Sequence, residues 1–371
     1  MHLRRRQQVT TVGVAVIATA LGLSACSSST STSSTPPAGN SSSGSASSSS
    51  SSSAALNGTL NGSGSTFQLT FQQEAISNFK SVQSGMTVNY GGGGSGKGRT
   101  DLAAGTVNFA GSDSPIPAKE ASNFTGKTIL YFPVIIGPIT MAYNLSGVSN
   151  LKLDPVTIAK IFSGSIKTWN DPAIKADNAG VSLPSTPITL AVRSDSSGTT
   201  ANFTLFLVDS AASAWSLGSS STVKWPGSAR AASGNSGVAQ VVKTTPGAIG
   251  YVDYATAKAS GLNFASVKNK DGSFVAPSPD SATAAASSVS PKSDLTFAAV
   301  WQGGANAYPI TYQSWDLVNA KQPNANDAAM LKAYLGYLLG DGQKLLGQLG
   351  YAALPSSLDQ MAVAQLSQIT S

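Results

Sequence analysis

The chain has 371 residues, enough for two ordinary domains, and carries 23 Lys and Arg against 17 Asp and Glu, a formal charge of +6. Arg4, Arg5 and Arg6 account for part of that excess; without them 20 stand against 17, too even a balance over too many residues for nucleic-acid binding. The only histidine is His2 and the only cysteine is Cys26, so no intrachain disulfide can form.

Read from the N-terminus, three arginines precede an uncharged, Val/Ala/Leu-rich stretch at residues 9–25, the pattern of a secretory signal; an uncleaved anchor is the alternative. The stretch ends in Leu23-Ser24-Ala25-Cys26, which resembles the lipobox of bacterial lipoproteins. That resemblance implies a signal peptide at 1–25 and a lipid-bearing Cys26 as the new N-terminus, at the extracytoplasmic face of the cell membrane. Residues 27–53 are almost all Ser, Thr, Gly and Pro, and no charge occurs between Arg6 and Glu74. Such a tract cannot bury enough apolar area to offset its chain entropy, so 26–55 is expected to be a disordered tether with a reach of about 30 Å. The globular part then starts near Leu56. Loss of the leader removes His2, which excludes a Ser-His-Asp triad, a Cys-His pair and any imidazole metal site. The acids are scattered singly, without a dyad or a cage. A binder is favoured over an enzyme.

Three later segments repeat one design, a Gly/Ser/Thr turn opening into a helical pattern. The first is Gly62-Ser63-Gly64-Ser65-Thr66-Phe67, followed by Phe71, Ala75, Ile76 and Phe79 at helical spacing. The second runs from Gly91 to Gly98 after the strand-like 86–90, and the third is Arg193-Ser194-Asp195-Ser196-Ser197-Gly198-Thr199-Thr200 after the strand-like 188–192. Free N–H groups at a helix start, joined by hydroxyls, make a seat for an oxyanion; an ordinary Ser/Thr cap is the plain alternative for any one of them. The second segment nearly spells a nucleotide-binding P-loop, but Gly98 stands where a Mg²⁺-binding Ser or Thr is required after Lys97. A fourth element, residues 107–116, reads as a strand ending in a polar turn that carries Asp113. As a site residue rather than a simple turn or cap, a carboxylate beside anion seats suits a ligand that still has a proton to give. Phosphate has one at neutral pH and sulfate does not, so Asp113 would repel sulfate.

At this point the chain resembles the phosphate-specific substrate-binding proteins of ABC transporters, the PstS family, over nearly everything from Leu56 onward. The motifs are Gly64-Ser65-Thr66-Phe67, the Gly-rich turn through Ser95, Phe109 through Pro115, Arg193 through Thr199, Ser221 through Pro226, and Pro246 through Tyr251. By position, the resemblance implies that phosphate is held by Thr66 (hydroxyl and backbone), Phe67 (backbone N–H), Ser95, Asp113 (accepting the phosphate proton), Arg193, Ser197, Gly198 and Thr199. Asp195 would pair with Arg193. Where relatives often have a second Ser or Gly after Ser95, Gly96-Lys97-Gly98-Arg99 adds positive charge.

The implied fold is α/β, the two-lobed periplasmic-binding-protein fold (type II), with the ligand in the inter-lobe cleft. Lobe I is expected at 56–133 and 317–371, lobe II at 134–316, and the crossings near 133–135 and 311–317. A helix over 328–347 should pack on lobe I, and Trp169, Trp225, Trp301 and Trp315 should be packing residues. The implied partners are inorganic phosphate, the subunits of an ABC permease and the membrane through Cys26, with no cofactor, no metal and a monomeric state. An exported sensor or adhesin, and less favourably a secreted phosphatase, are the rival readings.

Overall fold

The computed structural model describes residues 56–371, so the expected leader, the Ser-rich tract and Cys26 lie outside the described residues. Two strand–helix units come first: β1 (Gly58–Gly64) with α1 (Leu69–Val82), then β2 (Met86–Gly91) with α2 (Ser95–Ala104). β3 (Phe109–Ser112) leads through a 3₁₀ turn to the long β4 (Ile129–Tyr143). Next come β5 (Lys152–Leu153), α3 (Pro155–Phe162), α4 (Pro172–Asp177), β6 (Thr189–Arg193), α5 (Gly198–Ala211) and β7 (Arg230–Ala232). They are followed by α6 (Gly234–Thr244), β8 (Ala248–Asp253), α7 (Tyr254–Ala259), β9 (Asn263–Lys268), β10 (Phe274–Val275) and α8 (Pro279–Ala286). The returning β11 (Thr311–Asn319) precedes α9 (Ala325–Leu339), α10 (Leu346–Leu349) and α11 (Ser356–Gln365). None of the described helices is long and apolar enough to cross a membrane.

The strands run in the order β2-β1-β3-β11-β4-β8-β6-β7. β1 pairs parallel with β2 and β3, and β6 pairs parallel with β7 and β8, so each end of the sheet is a small parallel α/β unit. β4 and β11 join these units. The first part of β4, residues 129–138, pairs antiparallel with β11, and its last part, 139–143, pairs with β8. The register between β4 and β11 slips at Ser314/Trp315, because Ser314 faces Ile135 while Trp315 faces Pro133. Val134 is thus an extra residue on β4, and the bulge falls beside a proline that has no N–H to give the ladder. β3, β8 and β11 are buried at nearly every position, so both faces of these strands are covered, and β11 carries the polar Gln313, Ser314 and Asp316 inside the fold.

The expected helix at 328–347 is interrupted. α9 stops at Leu339, Gly340 takes φ −98°, ψ −103°, and Asp341–Leu345 continues as a 3₁₀ turn. Two glycines around Asp341 weaken helical propagation here. Trp169 and Trp315 are fully buried; Trp225 and Trp301 are half-buried, against Phe162, Trp215 and Tyr251 and against Phe206 respectively.

Asp316 sits in β11 between β3 and β4 and accepts hydrogen bonds from Gln72 Nε2 at 3.0 and 3.3 Å. Burial pushes its carboxyl up to about 7, against the opposing bonds of Gln72 and Gln68. The folded chain therefore keeps this proton where the unfolded chain, with a carboxyl near its ordinary value of about 4, has lost it. Stability should fall as pH rises from about 4 to about 7 and then level off, a loss of roughly 4 kcal/mol from this group. Asp316→Asn should flatten that slope in denaturant titrations at about pH 5 and pH 8. An unchanged slope would contradict this.

Candidate functional site

The carboxyl ends of β1, β3 and β6 point to one place between the two parallel units, and the starts of α2, α5 and α6 face it. From the β1–α1 turn come Ser65, Thr66 and Phe67; from α2, Ser95; from the end of β3, Asp113; from β6 and α5, Arg193, Asp195, Ser197, Gly198 and Thr199. Hydrogen bonds cross between the units: Gly96 N donates to Ser196 O at 2.9 Å, and Asn202 Nδ2 donates to Asp113 O at 2.7 Å. All the residues expected from the sequence in this region are in this cluster. Cys26 lies outside the described residues.

The hydroxyls share a common polarity. Ser95 Oγ accepts from Asp113 N at 3.1 Å, and Ser197 Oγ accepts from Thr200 N at 3.1 Å as the cap of α5. Thr66 Oγ1 accepts from Asn235 N at 3.3 Å and from Asn235 Nδ2 at 3.2 Å. Thr199 Oγ1 accepts from Asn235 Nδ2 at 3.3 Å and from Arg193 Nη1 at 3.4 Å. A hydroxyl whose lone pair is occupied by an N–H has its own proton left to donate. Each of these four hydroxyls therefore keeps a proton that it can donate.

Arg193 is the single guanidinium there, and its side chain is buried. Its Nε donates to Asp195 Oδ1 at 2.8 Å, and its Nη2 donates to Asp195 Oδ2, a two-pronged pair that fixes the plane of the fork. Gly234 N also donates to Asp195 Oδ1, at 3.0 Å. Burial pushes the Asp195 carboxyl up, but the Arg193 guanidinium outweighs it and holds the group below its ordinary value. The backbone of Arg193 is fixed as well, because its N–H donates to Tyr251 Oη at 3.0 Å.

Asp113 is fully buried, and its carboxylate is the acceptor in the group. Ser65 Oγ and Ser314 Oγ (2.6 Å) both donate to Oδ1. Burial pushes this carboxyl above its ordinary value, with Ser314, Ser65 and Arg193 pulling it the other way. Oδ2 faces the start of α5: a Cβ added to Gly198 would lie 2.7 Å from it and 2.4 Å from Ser95 Oγ. Gly198→Ala should therefore hold α5 away from Asp113 and weaken anion binding by about 1–3 kcal/mol, roughly 5- to 150-fold. Calorimetry on a variant with a native-like melting curve checks this, and native affinity would contradict it.

Phe67 makes two contributions. Its ring stacks on Tyr312 with centroids 4.0 Å apart, while its N–H, expected to face the ligand, donates to Ser65 Oγ at 3.1 Å. The added charges after Ser95 do not line the site. Lys97 is exposed and paired with Asp101, whereas Arg99 is buried, with Nε 2.7 Å from Glu120 Oε2 and Nη1 donating to Ser112 and Ser114 on either side of Asp113. Gly98, the position that spoils the P-loop pattern, lies where a Cβ would be 2.6 Å from Ser63 O and 2.8 Å from Gly64 Cα. Close packing of α2 on β1 accounts for it.

Asn235 was not expected. Its signal is a further turn of the same kind, Ser233-Gly234-Asn235-Ser236 at the start of α6. Ser314 has no local signal, since it reaches Asp113 from 201 residues away.

Comparison with known proteins agrees with this architecture. A family model described as a PBP superfamily domain matches residues 49–341. The phosphate-binding protein PstS 3 of Mycobacterium leprae is 38% identical over 309 residues, spanning 81% of this chain and 84% of the relative. This chain belongs to the PstS family. PstS of Pasteurella multocida is 35% identical over 315 residues, covering 83% and 89%. Among solved structures, a periplasmic phosphate-binding protein, PfluDING, bound with phosphate superposes with TM-score 0.69 at 20% identity, over 83% of this chain and 94% of that one. A putative phosphate ABC transporter substrate-binding protein with bound phosphate, from Clostridium perfringens, gives 0.60 at 15%, over 80% and 100%. The likeness shows the same two-lobed α/β fold that the PstS family shares.

Proposed function

We propose that this PstS-family chain binds inorganic phosphate between its two lobes, outside the cytoplasmic membrane, and delivers it to an ABC permease. The proposed contacts are Thr66, Phe67, Ser95, Asp113, Arg193, Ser197, Gly198 and Thr199, with Asp195 supporting Arg193. The observation that carries the reading is the shared polarity: Thr66, Ser95, Ser197 and Thr199 all accept from N–H groups, while one carboxylate, Asp113, offers an acceptor. Such a set of donors matches the oxygens of a tetrahedral anion, and the lone acceptor matches a P–OH. Sulfate offers no proton to that acceptor, so it is discriminated against by an unpaired buried carboxylate.

The proposed lobes are 56–133 with 317–371, and 134–316, hinged on β4 and β11, and opening and closing about those strands would admit and bury the ion. Binding leaves the ligand chemically unchanged, a reading supported by the absence of histidine beyond His2 and by relatives named as phosphate-binding proteins. The proposed attachment is a lipid on Cys26, with 27–53 as tether and the chain acting as a monomer. Cys26→Ala should release the protein into the medium; retention at the membrane would refute the anchor.

Titration calorimetry with phosphate, and separately with sulfate, tests the function. Phosphate should bind one to one without hydrolysis-like drift, and sulfate should compete about 10⁴-fold less well. A folded protein that ignores phosphate would overturn the proposal.

A further inference from the structure

A second set of hydrogen bonds lies behind Asp113, outside the proposed contacts. Gln68 Nε2 donates to Ser314 Oγ at 2.8 Å and to Trp315 O at 2.9 Å. A backbone carbonyl can only accept, so the amide of Gln68 has one orientation, nitrogen toward β11. Its Oε1 accepts from Gln72 Nε2 at 2.9 Å, and Gln72 Oε1 accepts from Tyr334 Oη at 2.6 Å. Each link in this row is buried and each has its direction set by its neighbour. With its lone pair taken by Gln68, the Ser314 hydroxyl has its proton directed to Asp113 Oδ1. Ser65 behaves alike: Phe67 N donates to its oxygen, and its proton goes to the same Oδ1.

We propose that Gln68 and Ser314 are positioning residues for selectivity, forming with Ser65 a one-way row of donors that keeps Asp113 ionised and leaves Oδ2 as the atom that meets the ligand proton. The inference rests on the phosphate reading and deepens it. Ser314 also lies at the register slip where β11 crosses between the lobes, so the donor that orients the acceptor sits on a hinge strand. Without that donor, burial acts on Asp113 less opposed and the carboxyl keeps its proton to higher pH. A protonated Asp113 can donate, and it then suits a fully ionised anion such as sulfate.

The test uses the full-length protein, its Ser314→Ala variant and Gln68→Met, which leaves Ser314 in place should the first variant fold poorly. Aspartate ¹³C labelling, with the Asp113 resonance assigned by its loss in Asp113→Asn, follows ionisation without any ligand. Arg193, Asp253, Tyr90, Tyr312 and Tyr351 also face Asp113 and are unchanged in both variants. Both variants should titrate Asp113 at higher pH than the native protein. Both should also lose about tenfold or more of the phosphate-over-sulfate preference, with sulfate binding strengthening as pH falls. An Asp113 midpoint that does not move in either variant overturns the proposal. A midpoint that moves in a native background that ignores phosphate supports the donor row and overturns the phosphate reading instead.

Discussion

Asp113→Asn should admit sulfate. The native carboxylate accepts from Ser65 and Ser314 on one oxygen and turns the other toward the start of α5, so an ion without a proton meets lone pairs inside a closed site. An amide at the same position offers an N–H instead. The penalty that excludes sulfate then disappears, while phosphate keeps the arginine and the four hydroxyls. A site built around one hydrogen bond can reject an analogue lacking it by about 10⁴-fold, so the phosphate-to-sulfate ratio should collapse by about 10²-fold or more. Competition calorimetry measures it directly. Unchanged exclusion of sulfate would show that selectivity comes from shape or from Arg193, and that the proton argument is wrong.

Replacing Arg193 should abolish useful affinity. It is the one guanidinium in the cluster and pairs with Asp195, with Asp113 and Asp253 also within its electrostatic reach. Arg193→Met keeps the length of the side chain and removes the charge, so Asp195 is left buried without its partner and the anion meets a net negative wall. Removing a buried charged donor from a bound anion costs about 2–5 kcal/mol, which is about 30-fold to several thousand-fold in affinity. Arg193→Lys should also bind weakly, because an ammonium cannot hold Asp195 with two prongs and still address Thr199. Asp195 then loses what holds its carboxyl below the ordinary value, and its ionisation should move up. Near-native phosphate affinity in Arg193→Met would mean that oriented dipoles alone hold the ion.

The parts of the site legible in the sequence are those written by neighbours in the chain. Gly62 through Phe67, Gly94-Ser95 and Ser197-Gly198-Thr199 announce helix starts because small and hydroxyl residues favour such turns, and Ser197 caps α5 by accepting from Thr200 N. Asp113 is legible as the polar residue that ends an apolar strand. What is built across the fold was hidden. Gln68 and Ser314 meet at a separation of 246 residues, and Asn235 reaches Thr66 across 169, so no local pattern encodes either contact. Arg99 shows the same limit: its charge is plain in the sequence, but only the turn of α2 and the arrival of Glu120 decide that it faces inward beneath the Asp113 loop. The break after Leu339 was written in Gly340-Asp341-Gly342, and the apolar repeat on either side masked it.

A crystal structure of the protein saturated with phosphate tests the core of this account most directly. One tetrahedral ion should lie between the lobes, with Asp113 Oδ2, the Arg193 guanidinium and the hydroxyls of Thr66, Ser95, Ser197 and Thr199 at about 2.6–3.1 Å from its oxygens. An ion seated elsewhere, or an Asp113 carboxylate turned away from it, would contradict the account.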